Sequence, residues 1–345
     1  MAPAPTGLIG SKEGALSIGL ESNMSFTTLN ATKPDPAIDR PVFLLGTGRS
    51  GTTLLQNLLA FHPDFAWFSN YSDRFPRWPL VAMLARVHDL PLVRDVLAFS
   101  KAAWIPRPRE SYAMLNHCTD STFTAQRMLD ASAVDARTRR RYRGMVKAYL
   151  RLQGKSRFLQ KHTGFARIRY LRAIFPDALF IHMYRDGRAV ASSMNRVDWW
   201  NGDLGAWWWG EMSADCMADY LDSGKEPVVL AGIVWKTLMD LIEEECSELP
   251  ADRLLRVRYD RLVAAPLETM DAIRLFCGLR QSARFDARVR RAPITDMDTK
   301  WSRVLSREQR ERLKRCLGTH LEKYGFADSG RAQRSPLLQM GTSRS

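Results

Sequence analysis

The chain has 345 residues, of which 45% are hydrophobic and 26% charged, an ordinary globular composition that suffices for one large α/β domain. No run of roughly 18 apolar residues is present to form a membrane-spanning helix, and no basic start leads into an apolar block, so a cytoplasmic protein is expected. Lys and Arg total 51 against 37 for Asp and Glu, a net charge of +14 that suits an anionic partner: nucleic acid, an acidic membrane or a multiply charged nucleotide.

Residues 1–38 are rich in Ala, Pro, Gly, Ser and Thr and read as a loosely held arm. Two N-x-[ST] matches there, at Asn23 and Asn30, mean little without a secretory signal. Then comes PVFLLGTGRSGTTLLQNLLAFHP. Val42 to Leu45 is a short apolar run bounded by Pro and Gly, as a buried strand requires. Gly46 to Gly51 is a glycine-rich turn, and Thr52 to Phe61 has helical spacing of Leu54, Leu55, Leu58 and Leu59.

From about 75 to 153 the pattern is mainly helical, broken by WIPRPRE around Pro106 and Pro108. Arg137, Arg139, Arg140, Arg141 and Arg143 fall opposite Val134, Tyr142, Val146, Tyr149 and Leu150 on an amphipathic helix. A solvated face is the plain reading of these arginines; contact with an acidic acceptor or lipid headgroup is the alternative. Next come a strand near Phe158 to Gln160, a helix over about Ala166 to Phe175, a strand at Leu179 to Met183 and a helix from about Gly187. Trp199, Trp200, Trp207, Trp208 and Trp209 crowd one segment, read either as an acceptor-binding lid or as ordinary packing. Leu254 to Tyr259 reads as a strand, Leu267 to Cys277 as a helix, and 301–325 as a closing helix.

Strands alternating with helices predict a P-loop-type parallel sheet with right-handed crossovers. The expected organisation is an arm at 1–38, an α/β domain at 39–328 with a largely helical insertion near 75–153, and a tail at 329–345. The five cysteines are scattered, without the paired spacing of a disulfide framework, and offer no zinc ligands; no metal is expected.

GTGRSGTT is the strongest local signal. Gly46, four residues, Gly51, then Thr52 and Thr53 reproduce the frame of a phosphate-cradling loop, in which amides and a helix N-terminus face an anion. A nucleotide kinase places Lys where Thr52 stands, whereas here the cation comes earlier, as Arg49. Without that lysine, the loop suits a 5′-phosphosulfate better than a γ-phosphate. A second cluster follows in YRDGRAVASSM: Arg185 leaves a strand at its carboxyl end, and Ser193 lies eight residues on. An arginine fork and a hydroxyl suit a second phosphate, although Asp186 capping a helix and pairing with Arg185 would give the same pattern.

With both motifs in order, the chain resembles the sulfotransferases that use 3′-phosphoadenylyl sulfate (PAPS), over about residues 41–326. FLLGTGRSGTTLL is similar to that family's 5′-phosphosulfate loop and RDGRAVASSM to its 3′-phosphate motif. VRYDRLVAAPLETMDAIRLFCGL, at 257–279, is similar to the segment bearing a strand end near the adenine, and a late KWSRVLS also fits. The likeness is to the carbohydrate, tyrosylprotein and bacterial branches. It implies PAPS as donor, bound by Gly48, Arg49, Ser50, Gly51, Thr52, Thr53, Arg185, Ser193 and Tyr259. It also implies a strand-end lysine twenty-four residues before the 3′-phosphate arginine, the interval from Lys161 to Arg185. Arg49 and Lys161 would offset charge growing on the leaving oxygen.

For the base that takes the acceptor proton, Asp73 in SNYSDRFP is the first candidate and His162 the second. Thr163 stands where phenol-type relatives carry His, and His162 is displaced by one, so on a strand it points the other way. Asp73 as a loop carboxylate paired with Arg74 or Arg77 is the competing reading. The expected acceptor carries a hydroxyl or amine, on a carbohydrate or glycolipid. Peripheral contact with an anionic membrane stays open, and nucleic acid is not expected. Two other functions compete: a P-loop kinase using ATP and magnesium, and a basic protein binding nucleic acid or anionic lipid.

Overall fold

Strand β1 (Val42–Gly46) is buried along its whole length, as an apolar run without alternation requires of a parallel strand covered on both faces. It belongs to a computed structural model that describes residues 33–90, 102–119, 123–124, 126–327 and 339–340. Most of the expected N-terminal arm and nearly all of the expected tail lie outside the described residues.

After β1 come helix α1 (Thr52–Leu59), strand β2 (Phe65–Trp67), the short helix α2 (Asn70–Arg74) and a 3-10 helix at Pro79–Asp89. Helices α3 (Tyr112–Cys118) and α4 (Ala136–Gln153) lead to β3 (Arg157–Thr163). Then follow α5 (Ile168–Ile174), β4 (Leu179–Tyr184), α6 (Gly187–Met194), α7 (Ala214–Asp222) and the long α8 (Pro227–Ser247). Strand β5 (Leu254–Arg258) precedes α9 (Tyr259–Ala264), α10 (Pro266–Cys277), α11 (Ala283–Arg290), α12 (Trp301–Val304), α13 (Arg307–Lys323) and a two-residue β6 (Gln339–Met340).

The sheet order is β2-β3-β1-β4-β5-β6, with the first five strands parallel and β6 antiparallel to β5. The α/β class with a parallel sheet flanked by helices is therefore the observed one. β1 pairs with β3 on one side and β4 on the other, so the chain winds outward in both directions from it. At such a switch point the loops diverge beyond the carboxyl ends of the strands and leave a crevice between them.

Alternation along the strands divides the core. Phe43, Leu45, Phe158 and Phe180 face one layer, with Tyr142, Val146 and Tyr149 of α4. Val42, Leu44, Leu159, Ile181 and Met183 face the other, with Leu55 and Leu58 of α1 and Met270 and Ile273 of α10. A third cluster joins α6, α8 and α13 around Trp235.

Several sequence expectations change. β3 extends three residues past the expected Gln160 and so carries Lys161 and His162 within the sheet. The closing helix is broken: Ser306 caps α13, accepting from the Gln309 amide while the Gln309 side chain answers, so the chain restarts a helix there. The arginines of α4 are not simply a solvated face. Arg139 Nε donates to the Ala173 carbonyl at 3.0 Å and Arg143 Nε to Ile174 at 2.6 Å, satisfying the open carbonyls at the end of α5. The tryptophan segment also packs inward. Trp200 and Trp209 are buried, the Trp208 and Trp209 rings lie 4.3 Å apart, and the group joins the Trp235 cluster, leaving Trp199 exposed.

Candidate active site

The turn after β1 shows why its sequence needs glycine. Gly51 holds φ +90° at the N-cap of α1, and a Cβ there would lie 2.5 Å from Cδ2 of Tyr259, so both the backbone and the ring exclude a side chain. At Gly48 a Cβ would meet nothing within 4 Å, which leaves open space at the loop. Ser50 turns inward: its hydroxyl pairs with that of Thr47, and its amide donates to the Thr47 carbonyl at 3.3 Å. These bonds close the loop on itself. Arg49, also left-handed at φ +69°, reaches across the cleft, with Nε donating to Ser193 Oγ at 2.9 Å.

Arg185 leaves the end of β4 and meets the same loop. Its Nη1 donates to the Arg49 carbonyl at 3.3 Å, its Nε to Asp298 Oδ1 at 2.9 Å and its Nη2 to the Met297 carbonyl. The guanidinium lies over the Tyr259 ring, 4.1 Å from its centroid, a cation–π contact that also fixes Tyr259 beneath the loop. The two motifs, 136 residues apart in sequence at Arg49 and Arg185, are therefore in contact. Asp186 pairs with Arg188 at 2.7 Å and caps α6 through the Arg188 amide, which leaves Arg185 to the loop.

A cleft of about 550 Å³ opens here, lined by Arg49, Gly51, Thr52 and Thr53 on one side and Arg185, Ser193 and Tyr259 on the other. Arg196, Lys300 and Trp301 complete it. Burial pulls the Arg49 pKa down, and the charges of Arg185 and Arg196 press it the same way. Burial raises the Asp298 pKa, with Arg185 opposing. Asp298 pairs with Arg185, and Arg49, Arg196 and Lys300 add three further cations to the cleft wall, a field that suits a polyanion.

Lys161 stands beside this cleft. It shares the strand face of Leu159, toward α1, and its Nζ donates to Thr53 Oγ1 at 2.9 Å. Burial lowers its pKa while Glu110, 3.9 Å away, raises it. His162 points the opposite way. Its ring sits in the core, with ring centroids 5.7 Å from Phe43 and 5.3 Å from Phe123. Burial holds its pKa well below the usual imidazole range, with Arg167 and Lys161 adding to the effect. The structure does not bring His162 to the cleft, because the period of two along β3 sends neighbouring side chains to opposite faces.

A second cavity of about 350 Å³ adjoins the first at Thr53 and is walled by Asp73, Arg107, Arg109, Glu110 and Lys161. Asp73 lines it, but its Oδ1 accepts the Ala113 amide at 2.9 Å and so anchors α3. Glu110 accepts the Thr163 hydroxyl and lies next to Lys161. Sequence reasoning passed over Glu110, although it sits in the proline-rich break that could not be helix. Thr163 was the only pointer toward it, occupying the position where phenol-type relatives carry His. None of the clustered tryptophans 199–209 is among the residues lining either cavity; Trp200 and Trp209 pack into the cluster around Trp235.

Comparison with known proteins agrees with this geometry. The family model described as "Sulfotransferase family" matches residues 41–283. Protein-tyrosine sulfotransferase 2 of Gallus gallus is 25% identical over 246 residues, covering 70% of this chain and 52% of that protein. Protein-tyrosine sulfotransferase 1 of Danio rerio is 25% identical over 242 residues, covering 69% and 53%. The chain thus spans about half the length of the curated relatives it matches. Among solved structures, sulfotransferase STF1 from Mycobacterium tuberculosis aligns with TM-score 0.50 and 18% identity over 82% of this chain and 77% of that one, a likeness of fold.

Proposed function

The chain belongs to the sulfotransferase family, and we propose that it takes PAPS as donor and transfers its sulfuryl group to an acceptor hydroxyl by in-line displacement. The observation that supports this reading is that Arg185 reaches the Arg49 carbonyl, so that the glycine-rich loop and the arginine at the end of β4 line one cleft.

The residues present fit a doubly phosphorylated nucleotide. Open space at Gly48, the amides leading into α1 and the hydroxyls of Thr52 and Thr53 suit the 5′-phosphosulfate. Arg185 and Ser193 suit the 3′-phosphate, and Tyr259 underlies the nucleotide; Arg49, bonded to Ser193, turns toward the 3′-phosphate and away from the leaving oxygen that the resemblance implied for it. Lys161, on Thr53, is placed to offset charge growing on the leaving oxygen. The acceptor would enter the second cavity, whose shared wall at Thr53 sets it against the end of the phosphate loop.

Of the two carboxylates there, Glu110 is the base we favour over Asp73. Each carboxylate has one oxygen engaged, Glu110 by the Thr163 hydroxyl and Asp73 by the Ala113 amide, but Glu110 also stands beside Lys161, whose Nζ bonds Thr53. The proton would pass from the acceptor hydroxyl to the Glu110 carboxylate as the acceptor oxygen bonds to sulfur and the bond from sulfur to the donor's phosphate oxygen breaks, releasing 3′-phosphoadenosine 5′-phosphate. Arg107 and Arg109 in the same wall can orient polar parts of an acceptor. With the tryptophans packed inward, a carbohydrate or glycolipid acceptor loses its main sequence support. Tyrosyl peptides, named in the relatives, join the classes to screen.

Thermal shift with 3′-phosphoadenosine 5′-phosphate tests the donor. Saturation at about a hundredfold over Kd stabilises the fold by roughly 2.7 kcal/mol. We expect a clear rise with this nucleotide and little with ATP-magnesium. Equal rises from both would favour a kinase, and no rise with the first would refute the proposal.

A further inference from the structure

Beside the acceptor cavity lies a surface that catalysis does not use. The 3-10 helix at Pro79–Asp89 repeats every three residues, so it presents three ridges. Ala82, Ala85 and His88 form the buried ridge. The other two turn Leu80, Met83 and Leu84 outward, with Arg86 among them. Phe75 and Trp78, just before the helix, and Leu90, just after it, are exposed as well. Trp78 keeps 68% of its surface in water and Leu80 65%, large values for side chains of this size.

A second stretch joins this one. Trp104 is 67% exposed, and its carbonyl accepts the Tyr71 hydroxyl at 2.6 Å, while the Asn70 side-chain Nδ2 donates to the Ala103 carbonyl at 3.0 Å. Helix α2 thus ties Trp104 to the Phe75–Leu84 stretch. Arg74, Arg77 and Arg86 stand exposed among these apolar side chains, and Asp89 near the end of the helix is paired with Lys155 at 2.7 Å. Large apolar side chains including two tryptophans, interspersed with arginines, match the boundary between acyl chains and acidic headgroups, where indole is favoured and each cation gains from surface potential.

We propose that this surface docks the protein onto an anionic phospholipid bilayer. Charge complementarity selects that partner over a second copy of this chain, which would bring the same arginines against themselves. Asp73 and residues 107–112 line the second cavity and continue the two stretches that carry the patch, so a docked molecule holds that cavity near the headgroups. On the sulfotransferase reading, a lipid-borne hydroxyl would then meet the site without leaving the membrane.

Co-sedimentation of the full chain with vesicles tests the docking in the absence of nucleotide, so its failure is separate from failure of the donor assignment. Binding is expected to vesicles of phosphatidylcholine with phosphatidylglycerol and to weaken with salt, and phosphatidylcholine alone should retain little protein. Trp78→Ser with Leu80→Ser should cut binding about tenfold. Arg77→Gln with Arg86→Gln should cut it by about fivefold per guanidinium removed. Both variants should keep their thermal midpoint, since the altered side chains are exposed. Absence of binding, or equal binding by the variants, would overturn the proposal. So would light scattering showing that the Trp78→Ser, Leu80→Ser pair dissociates a dimer, because the patch would then belong to a second copy.

Discussion

Replacing Glu110 by Gln separates a proton acceptor from a structural carboxylate. Gln keeps the size of the side chain and an oxygen to accept the Thr163 hydroxyl, so the loop should stay in place. It loses the charge 3.9 Å from Lys161. General-base catalysis contributes about 10² to 10⁴ in rate, equivalent to roughly 3 to 5 kcal/mol of barrier. Donor binding should move the other way or not at all, because removing an anion beside Lys161 makes the neighbourhood of the cleft more positive. Labelled-sulfate transfer to whichever acceptor the native enzyme turns over gives the measurement. A fall in kcat of at least about a hundredfold is expected, with donor KM unchanged or lower. Asp73→Asn, whose amide oxygen can still accept from Ala113, should stay near native turnover. Turnover of Glu110→Gln within about threefold of native, a barrier change under ~1 kcal/mol, would refute the assignment. So would a loss of turnover and nucleotide stabilisation together.

Two further outcomes follow from the same geometry. Gly51→Ala should cost about 1–2 kcal/mol for the left-handed backbone alone, and its Cβ would push Tyr259 from beneath Arg185; calorimetry should show a lowered Tm and no rise with 3′-phosphoadenosine 5′-phosphate. His182, buried in β4, is held neutral mainly by burial, with Arg256 adding, at a pKa of about 4. The unfolded chain takes up that proton below about pH 6.5 while the native fold resists it until about pH 4. At ~1.4 kcal/mol per pH unit, this gap removes about 3 kcal/mol as pH falls through the window and nothing above it. His162 acts in the same direction. Chemical denaturation across the window should show this slope, flattened in His182→Leu; equal slopes would contradict the account.

Much of the architecture could be read from the chain because its signals are local. The apolar run before GTGRSGTT, the glycine at 51 and the leucine spacing after it announce strand, turn and helix without reference to anything distant. Strand β2, only Phe65–Trp67, is too short for periodicity to reveal, and α13 restarts after a break that only the Ser306 cap explains. The two motifs that line the cleft were legible for the same local reason, and the sheet order brings them together. The pairing of the Ser50 hydroxyl with Thr47 was not legible, because a loop hydroxyl can serve the loop as readily as a ligand. Glu110, proposed above as the base, has no local mark in the sequence. Its neighbours Lys161 and Thr163 lie about fifty residues away on another element. The α4 arginines followed the same rule, since their carbonyl partners on α5 are set by packing rather than by spacing.

The guanidinium at 185 is gripped on three nitrogens by Asp298, Met297 and the Arg49 carbonyl before any ligand arrives. Its rotamers are therefore already surrendered at folding, and an incoming phosphate need not freeze a waving side chain. Lysine at that position would bring equal charge but no planar fork, and one ammonium on a flexible stem does not reproduce that three-point seating. What the protein has invested there is rigidity, and a change that conserves charge would still forfeit it.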